Sequence, residues 1–321
     1  MRRKAPSSAL SLAALLLLTP SVSPAAARAH GQAGASRQRR EVAVTIDDLP
    51  LNGPQFEIAR LRLMTDKFLS GIRRHKLPAV GFVNESLLYV RNEEADARIA
   101  LLKAWSDAGV ELGNHTFSHL GFRAASLDEY QDDFIRGDAV TRLLLKGRRP
   151  RYFRHPFLQM GPSVQIEKSF ESFIAARGYR AAPVTVDTMD WMFLAAYFKA
   201  RARGDAETLR RVSDEYLKYV GLKFDFCEKV SAELFGRPVK HILLLHANEL
   251  NADNFDALVS VIGGRGYRFI TLEEALGDPA YQFPEKYTPT SDWLSHWSHS
   301  KGRGFEPPMP SEFIQKEFAG Q

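Results

Sequence analysis

Val42-Ala43-Val44-Thr45-Ile46 runs straight into Asp47-Asp48-Leu49-Pro50, and this junction decides how the chain is read. The apolar, β-branched run predicts a buried strand. The two carboxylates at its end repel each other and resist desolvation. They therefore need a cation or a shared proton, unless they only cap a helix or line a solvated turn. Outward from this point the pattern repeats. Ala79–Val83 ends at Asn84, Val110–Gly113 at Asn114-His115 and Arg151–Phe153 at Arg154. Ala182–Val186 ends at Asp187, Ile242–Leu245 at His246 and Tyr267–Ile270 at Thr271. Helical patterns over Phe56–His75, Glu93–Ala108, Ser126–Leu145, Val164–Arg177 and Asn254–Gly263 lie between these runs. In the first of them Ile58, Leu61, Met64, Phe68 and Ile72 follow the 3.6-residue period.

Strand–helix alternation favours a parallel sheet with helices outside it. Chemistry-bearing residues just past successive strand ends favour a barrel, whose active sites lie there. The seven strands found predict an α/β fold, a distorted or incomplete (β/α) barrel, with an open doubly wound sheet as the fallback. Two further apolar stripes, Leu209/Val212/Tyr216/Val220 and Phe226/Val230/Leu234, predict an inserted helical layer over about 195–240. Cys227, beside the second stripe, reads as packing rather than a nucleophile. From Asp278 to Gln321 the chain is rich in Pro and aromatic residues and predicts an irregular C-terminal extension, either docked on the barrel or lining the substrate.

The N-terminus carries a different signal. Arg2-Arg3-Lys4, the apolar Ala9–Leu18 and the small residues around Ala25–Ala29 have the order of a secretory signal peptide over 1–29. The apolar part is shorter than the about 20 residues a membrane span needs, so an uncleaved anchor is the secondary reading. Residues 30–40 read as a flexible linker, and folding is expected from Glu41 through 277. The formal charge of the whole chain is +5. Cleavage after Ala29 removes Arg2, Arg3, Lys4 and Arg28 and leaves +1, too little for a nucleic-acid footprint. The expected location is the periplasm or the exterior. A single cysteine excludes a disulfide framework, a Cys-rich zinc finger and a Cys-ligated iron–sulfur cluster.

His115-Thr116-Phe117-Ser118-His119 places two imidazoles on one helical face or in one tight turn, able to chelate one ion. No Glu lies between them, which excludes the zincin arrangement. One carboxylate of the Asp47-Asp48 pair would complete a two-His, one-carboxylate site with open positions, and the second would remain as a base. His246, after four apolar residues, faces the mouth as a candidate proton donor. Arg154-His155-Pro156-Phe157 and Asp187-Thr188-Met189-Asp190-Trp191 add a permanent cation, acceptors and aromatic walls. His30, His75, His155, His241, His296 and His299 read as structural or exposed.

Taken in order, these motifs resemble the polysaccharide deacetylases, the NodB-homology domain of carbohydrate esterase family four. Thr45-Ile46-Asp47-Asp48-Leu49-Pro50, the His115–His119 turn, Arg154–Phe157, Asp187–Trp191 and Leu243-Leu244-Leu245-His246 carry the match, over about residues 41–275. The resemblance implies a divalent ion, zinc by preference with Co2+, Ni2+ or Mn2+ as alternatives, held by Asp48, His115 and His119. It implies Asp47 as general base, His246 as general acid, Arg154 orienting Asp47, and Asp190 tuning His246. Phe157, Trp191 and Trp293 are candidates to stack on sugar rings. An acetylated glycan is the implied partner, with no nucleic acid and no stable membrane insertion. Two departures bear on substrate size: Leu49 stands where the family usually has Gly, and the stretch from Asp190 to His246 is long. The rival readings are a metal amidohydrolase acting on a small amide, a non-catalytic sugar-binding module and a non-haem iron oxygenase. Serine chemistry is disfavoured because no Gly-x-Ser-x-Gly elbow is present.

Overall fold

The computed structural model describes residues 39–52, 56–283 and 292–319, all within the compact unit Gln38–Gln321. The expected signal peptide over 1–29 and nearly all of the expected linker lie outside the described residues. Arg40, placed in the linker by its composition, is the first residue of a strand.

Eight strands alternate with helices. They are β1 (Arg40–Leu49), β2 (Ala79–Val83), β3 (Glu111–Asn114), β4 (Tyr152–Phe153), β5 (Arg180–Ala181), β6 (Val186–Asp187), β7 (His241–His246) and β8 (Tyr267–Ile270). The helices are α1 (Ile58–His75), α2 (Ala95–Asp107), α3 (Leu127–Arg136), α4 (Ala139–Leu144), α5 (Val164–Ala175), α6 (Asp190–Ala202), α7 (Ala206–Phe235), α8 (Glu249–Gly264), α9 (Leu272–Leu276), α10 (Trp293–Ser300) and α11 (Glu312–Ala319). Among the described residues no helix is long and apolar enough to cross a membrane.

Every strand pairing is parallel, in the order β5-β4-β3-β2-β1-β7-β6, with β8 also on β1. β1 is central and buried along its length from Val42, as a strand covered on both faces must be. Its neighbours bury Val44, Ile46, Leu243 and Leu245 in one core with Leu61, Met64 and Phe68 of α1. Each such large side chain contributes about 1.5–3 kcal/mol by leaving water.

The expected strand Ala182–Val186 is instead mostly the seam between two short strands, β5 ending at Ala181 and β6 beginning at Val186. Ala182 N–H donates to Phe153 O on β4, whereas Thr185 N–H donates to Ile242 O on β7. The chain therefore leaves one end of the sheet and joins the other within residues 182–185, and Pro183 in that seam has no N–H to offer a ladder. At about 3.5 Å per residue the two ends of the sheet must lie close together, so the sheet curls into a distorted barrel rather than a flat doubly wound layer.

Three other expectations change. The single helix over Ser126–Leu145 breaks into α3 and α4 at Gly137-Asp138, where the buried carboxylate of Glu85 accepts the Val140 and Thr141 N–H groups and starts α4 afresh. The two stripes after Asp190 lie on one 30-residue helix, α7. Val212, Tyr216, Val220, Phe224, Cys227, Val230 and Leu234 form one continuous buried seam on it. Cys227 is fully buried and its Sγ faces Thr185 O, which bears out its reading as packing. The C-terminal extension is not irregular throughout: it forms α10 and α11, whose Trp293, Leu294, Trp297 and Ile314 enter the main core.

Leu49 does not narrow the site. It is fully buried in the core, and its Cδ1 occupies the space that a Cβ on Gly81 of β2 would take. The absent side chain of Gly81 makes room for a bulky residue after the carboxylate pair.

Candidate active site

The candidate site residues gather where β1, β3, β4 and β7 end. Strand geometry alone would send Asp47 and Asp48 to opposite faces. Asp48 instead has φ 64°, a left-handed turn that brings its carboxylate back to the same rim. Asn52 Nδ2 donates to Asp48 Oδ2 at 3.0 Å. Asp48 Oδ1 is buried without a hydrogen-bond partner, 3.7 Å from His115 Nε2 and 3.6 Å from His119 Nε2. A buried carboxylate oxygen with no donor is costly to leave bare, and this one faces two imidazoles.

Both imidazoles could serve as ligands. His115 Nδ1–H donates to the Arg154 carbonyl at 2.8 Å, which leaves the Nε2 lone pair free. Burial, then the neighbouring His119, holds the His115 pKa well below its ordinary value. Burial also lowers His119, against the pull of Asp48. Two neutral nitrogens and one carboxylate oxygen, all within 4.8 Å of one another, fit a divalent ion of borderline hardness.

Asp47 and Arg154 form a buried pair, with Nη1 to Oδ2 at 3.2 Å. The remaining guanidinium donors reach Ala182 O at 2.6 Å and Thr45 Oγ1 at 2.9 Å, so the cation is anchored to the seam and to β1. Burial pushes the Asp47 carboxyl up to about 6, and Arg154 restrains it from rising further.

His246 sits on β7 directly opposite Asp47. Its Nδ1–H donates to Asp190 Oδ1 at 2.7 Å, and its backbone N–H to Asp190 Oδ2 at 2.8 Å. Burial alone would lower its pKa, but Asp190, Asp48 and Asp47 outweigh burial and raise it to about 10. The imidazolium therefore carries a transferable proton on Nε2 near neutrality.

The three aromatic candidates have different surroundings. Phe157 is 59% exposed, with φ 56° and its ring edge-on to His119 at 4.4 Å, and it walls the site. Trp191 is 46% exposed beside Asp190, with its ring edge-on to Phe318 of α11. Trp293 is only 7% exposed, stacks on His296 and donates its backbone N–H to Val184 O. It lines a seam cavity of about 210 Å³ with Arg154 and Tyr281, a cavity that Asp48, His115 and His119 do not line.

Sequence reasoning missed the supports of the His115–His119 turn. Asp133 of α3 accepts the Ser118 N–H with its carboxylate and the Phe117 N–H with its carbonyl. Asn114 Oδ1 accepts the Thr116 N–H. Gly137 passes so close that a Cβ there would lie 2.4 Å from the Thr116 carbonyl carbon. Of these only Asn114, beside His115 at a strand end, carried a readable signal.

Comparison with known proteins adds the following. Residues 34–172 match the family model described as polysaccharide deacetylase, a span that holds Asp47, Asp48, His115, His119 and Arg154 and stops before Asp190 and His246. A peptidoglycan-N-acetylglucosamine deacetylase of Bacillus cereus is 26% identical over 158 residues, covering 49% of this chain and 49% of that protein. The chain thus spans about half the length of the curated relative it matches. The chitin deacetylase of the fungal pathogen Colletotrichum lindemuthianum superposes with a TM-score of 0.51 at 21% identity, covering 79% of this chain and 94% of that one. A carbohydrate esterase family four pseudoenzyme from Bacillus anthracis gives 0.51 at 19% identity, covering 75% and 66%. These structural likenesses establish the fold.

Proposed function

We propose that this chain, whose residues 34–172 match the polysaccharide deacetylase family model, is an exported, metal-dependent deacetylase. It hydrolyses N- or O-acetyl groups on a glycan such as peptidoglycan, a chitin-like oligomer or acetylated xylan, and releases acetate. The observation that carries this reading is the unpartnered Asp48 Oδ1 facing two neutral imidazoles, with the buried carboxyl of Asp47 beside it and the protonated His246 across the strand pair. The expected organisation supports export: a leader over 1–29, a linker over 30–40, the barrel over 41–277 with its helical insertion, and the extension over 278–321.

Asp48, His115 and His119 would hold one divalent ion, zinc by preference. When bound, such an ion lowers the pKa of a water towards about 7 and polarises an acyl oxygen. Asp47 accepts the proton of the attacking water, and Arg154 keeps that carboxylate ionised and aimed. His246, held by Asp190 through Nδ1, delivers its Nε2 proton to the departing amine nitrogen or sugar oxygen as the acyl bond breaks. Phe157 and Trp191 offer exposed rings on which a sugar can stack.

A silent glycan-binding role is the second reading, favoured by the pseudoenzyme among the structural neighbours. Acetate release measured on peptidoglycan, N-acetylglucosamine oligomers and acetylated xylan, with and without chelator, separates the two. Chelator-sensitive release is the expected result. Glycan binding with no release on any of them would replace the hydrolase reading with the binding one.

A further inference from the structure

Tyr216 lies about a third of the way along α7, outside the sheet and fully buried. Its hydroxyl donates to Asn251 Oδ1 at 2.6 Å. That bond commits the amide, because once the oxygen faces Tyr216 the two Nδ2 hydrogens must point the other way. They reach Asp190 Oδ2 and, at 2.9 Å, the backbone carbonyl of His246. Asn248, which caps α8 by accepting the Asn251 N–H, adds a second amide to Asp190 Oδ2 at 3.3 Å. Asn251 thus touches both the acceptor that holds the His246 ring and the backbone that carries it. Turned over, the amide would set its oxygen against the carboxylate and the carbonyl, leaving acceptors facing acceptors in a buried site. The Tyr216 hydroxyl opposes that turn from the far side.

We propose that Tyr216 and Asn251 are positioning residues for His246, and that the inserted helix α7 exists in part to aim that side chain through the chain Tyr216–Asn251–Asp190–His246. The inference rests on His246 being the proton donor of the proposed reaction. The contact chain itself can be tested without that reaction. Among the described residues the His246 Nε2 makes no hydrogen bond, and Asp47 of β1 is the register partner of His246.

The test is NMR on the 15N-labelled, metal-free full chain, followed by kinetics of the zinc-loaded chain on N-acetylglucosamine oligomers. The His246 Nδ1–H, bonded to Asp190, is expected as a strongly downfield proton. Tyr216→Phe and Asn251→Leu move it upfield or broaden it away. Tyr219→Phe, on the same helix with its hydroxyl on Pro308 O at 2.9 Å and Met189 Sδ at 3.1 Å but on neither Asn251 nor Asp190, leaves it in place. In turnover, Tyr216→Phe lowers kcat about tenfold with KM unchanged, as removal of an outer supporting partner does, and Tyr219→Phe does neither. Should Asn251→Leu fail to fold, Tyr216→Phe, which removes one oxygen atom, decides alone. An unmoved His246 proton in folded Tyr216→Phe overturns the positioning role. A moved proton in a chain whose wild type releases no acetate supports the positioning role and overturns the deacetylase reading instead.

Discussion

Asp47 and His246 are register partners on adjacent parallel strands, so their side chains leave the sheet on the same face. The Ala247 N–H donates to Asp47 O at 2.9 Å, which ties the two strand ends together just at the rim. A carboxyl raised to about 6 and an imidazole raised to about 10 thus stand side by side, one ready to take a proton and the other to give one. Environments that push two titratable groups apart in this way mark acid and base roles.

Asp47→Asn should keep the ion and lose turnover, because Asp48 rather than Asp47 faces both imidazole nitrogens. Metal content near one per chain, with acetate release down about 10²–10⁴-fold, is the expected result. Full release with metal retained would refute the base assignment.

His115→Ala should release the ion. It removes a buried ligand nitrogen aimed by its Nδ1 bond to the Arg154 carbonyl, and the carboxylate 3.8 Å from that nitrogen, Asp47, is held by Arg154. Metal analysis after gel filtration checks this, and an undiminished ion content would remove His115 from the ligand set.

Arg154→Met should leave Asp47 buried without its cation. Burial raises that carboxyl and Arg154 restrains it, so the pKa should climb above about 6. Activity needs the ionised form, so the acid side of the pH–rate profile should move to higher pH. Loss of one member of a buried pair should also cost about 3–5 kcal/mol in denaturant unfolding. A profile that stays in place would show that Arg154 does not govern Asp47.

Gly137→Ala should weaken metal binding as well as stability. Its φ is an ordinary −77°, so conformational strain is not the cause. The new Cβ would meet the backbone at Thr116 and Phe117 within 2.4–2.8 Å, and backbone cannot rotate away as a side chain can. Zinc affinity measured by competition with a chelating dye should fall. An unchanged affinity would mean that the turn carrying His115 and His119 tolerates displacement.

His155→Gln should destabilise the metal-free chain most near pH 7 and progressively less in acid. Burial, with Arg154 adding to it, lowers folded His155 from 6.5 to about 3. Between those values the unfolded state binds the proton and the folded state does not. Wild-type stability from this residue is therefore complete above about 6.5 and declines as pH falls towards 3. Urea midpoints of the two proteins at pH 7 and pH 4.5 give the comparison, and a gap that stays constant would contradict the burial argument.

The residues around Leu49 and Gly81 show where sequence reading stops. Leu49 beside two carboxylates invites the idea of a narrowed site, because nothing local reveals the empty space above Gly81 on the neighbouring strand. The split of Ala182–Val186 was hidden for the same reason. The composition of that stretch reads as one strand, and only the separate partners of Ala182 and Thr185, Phe153 and Ile242, show that it crosses from one end of the sheet to the other. By contrast Ala79–Val83 and Tyr267–Ile270 were legible to the residue, since apolar runs bounded by polar residues depend on local composition alone.

Local pattern, then, was enough to determine that this protein alternates strands with helices, that polar residues end its strands, and which side chains are chemically able to bind an ion or move a proton. Only the tertiary structure decided that Asp48 turns back to join His115 and His119, that Asp47 pairs with Arg154 and faces His246, and that Tyr216 reaches Asp190 and His246 through Asn251. The reason is one of range. Side-chain type and periodicity are properties of neighbours in sequence, whereas burial, register and hydrogen-bond partnership arise between residues that the sheet brings together from far along the chain.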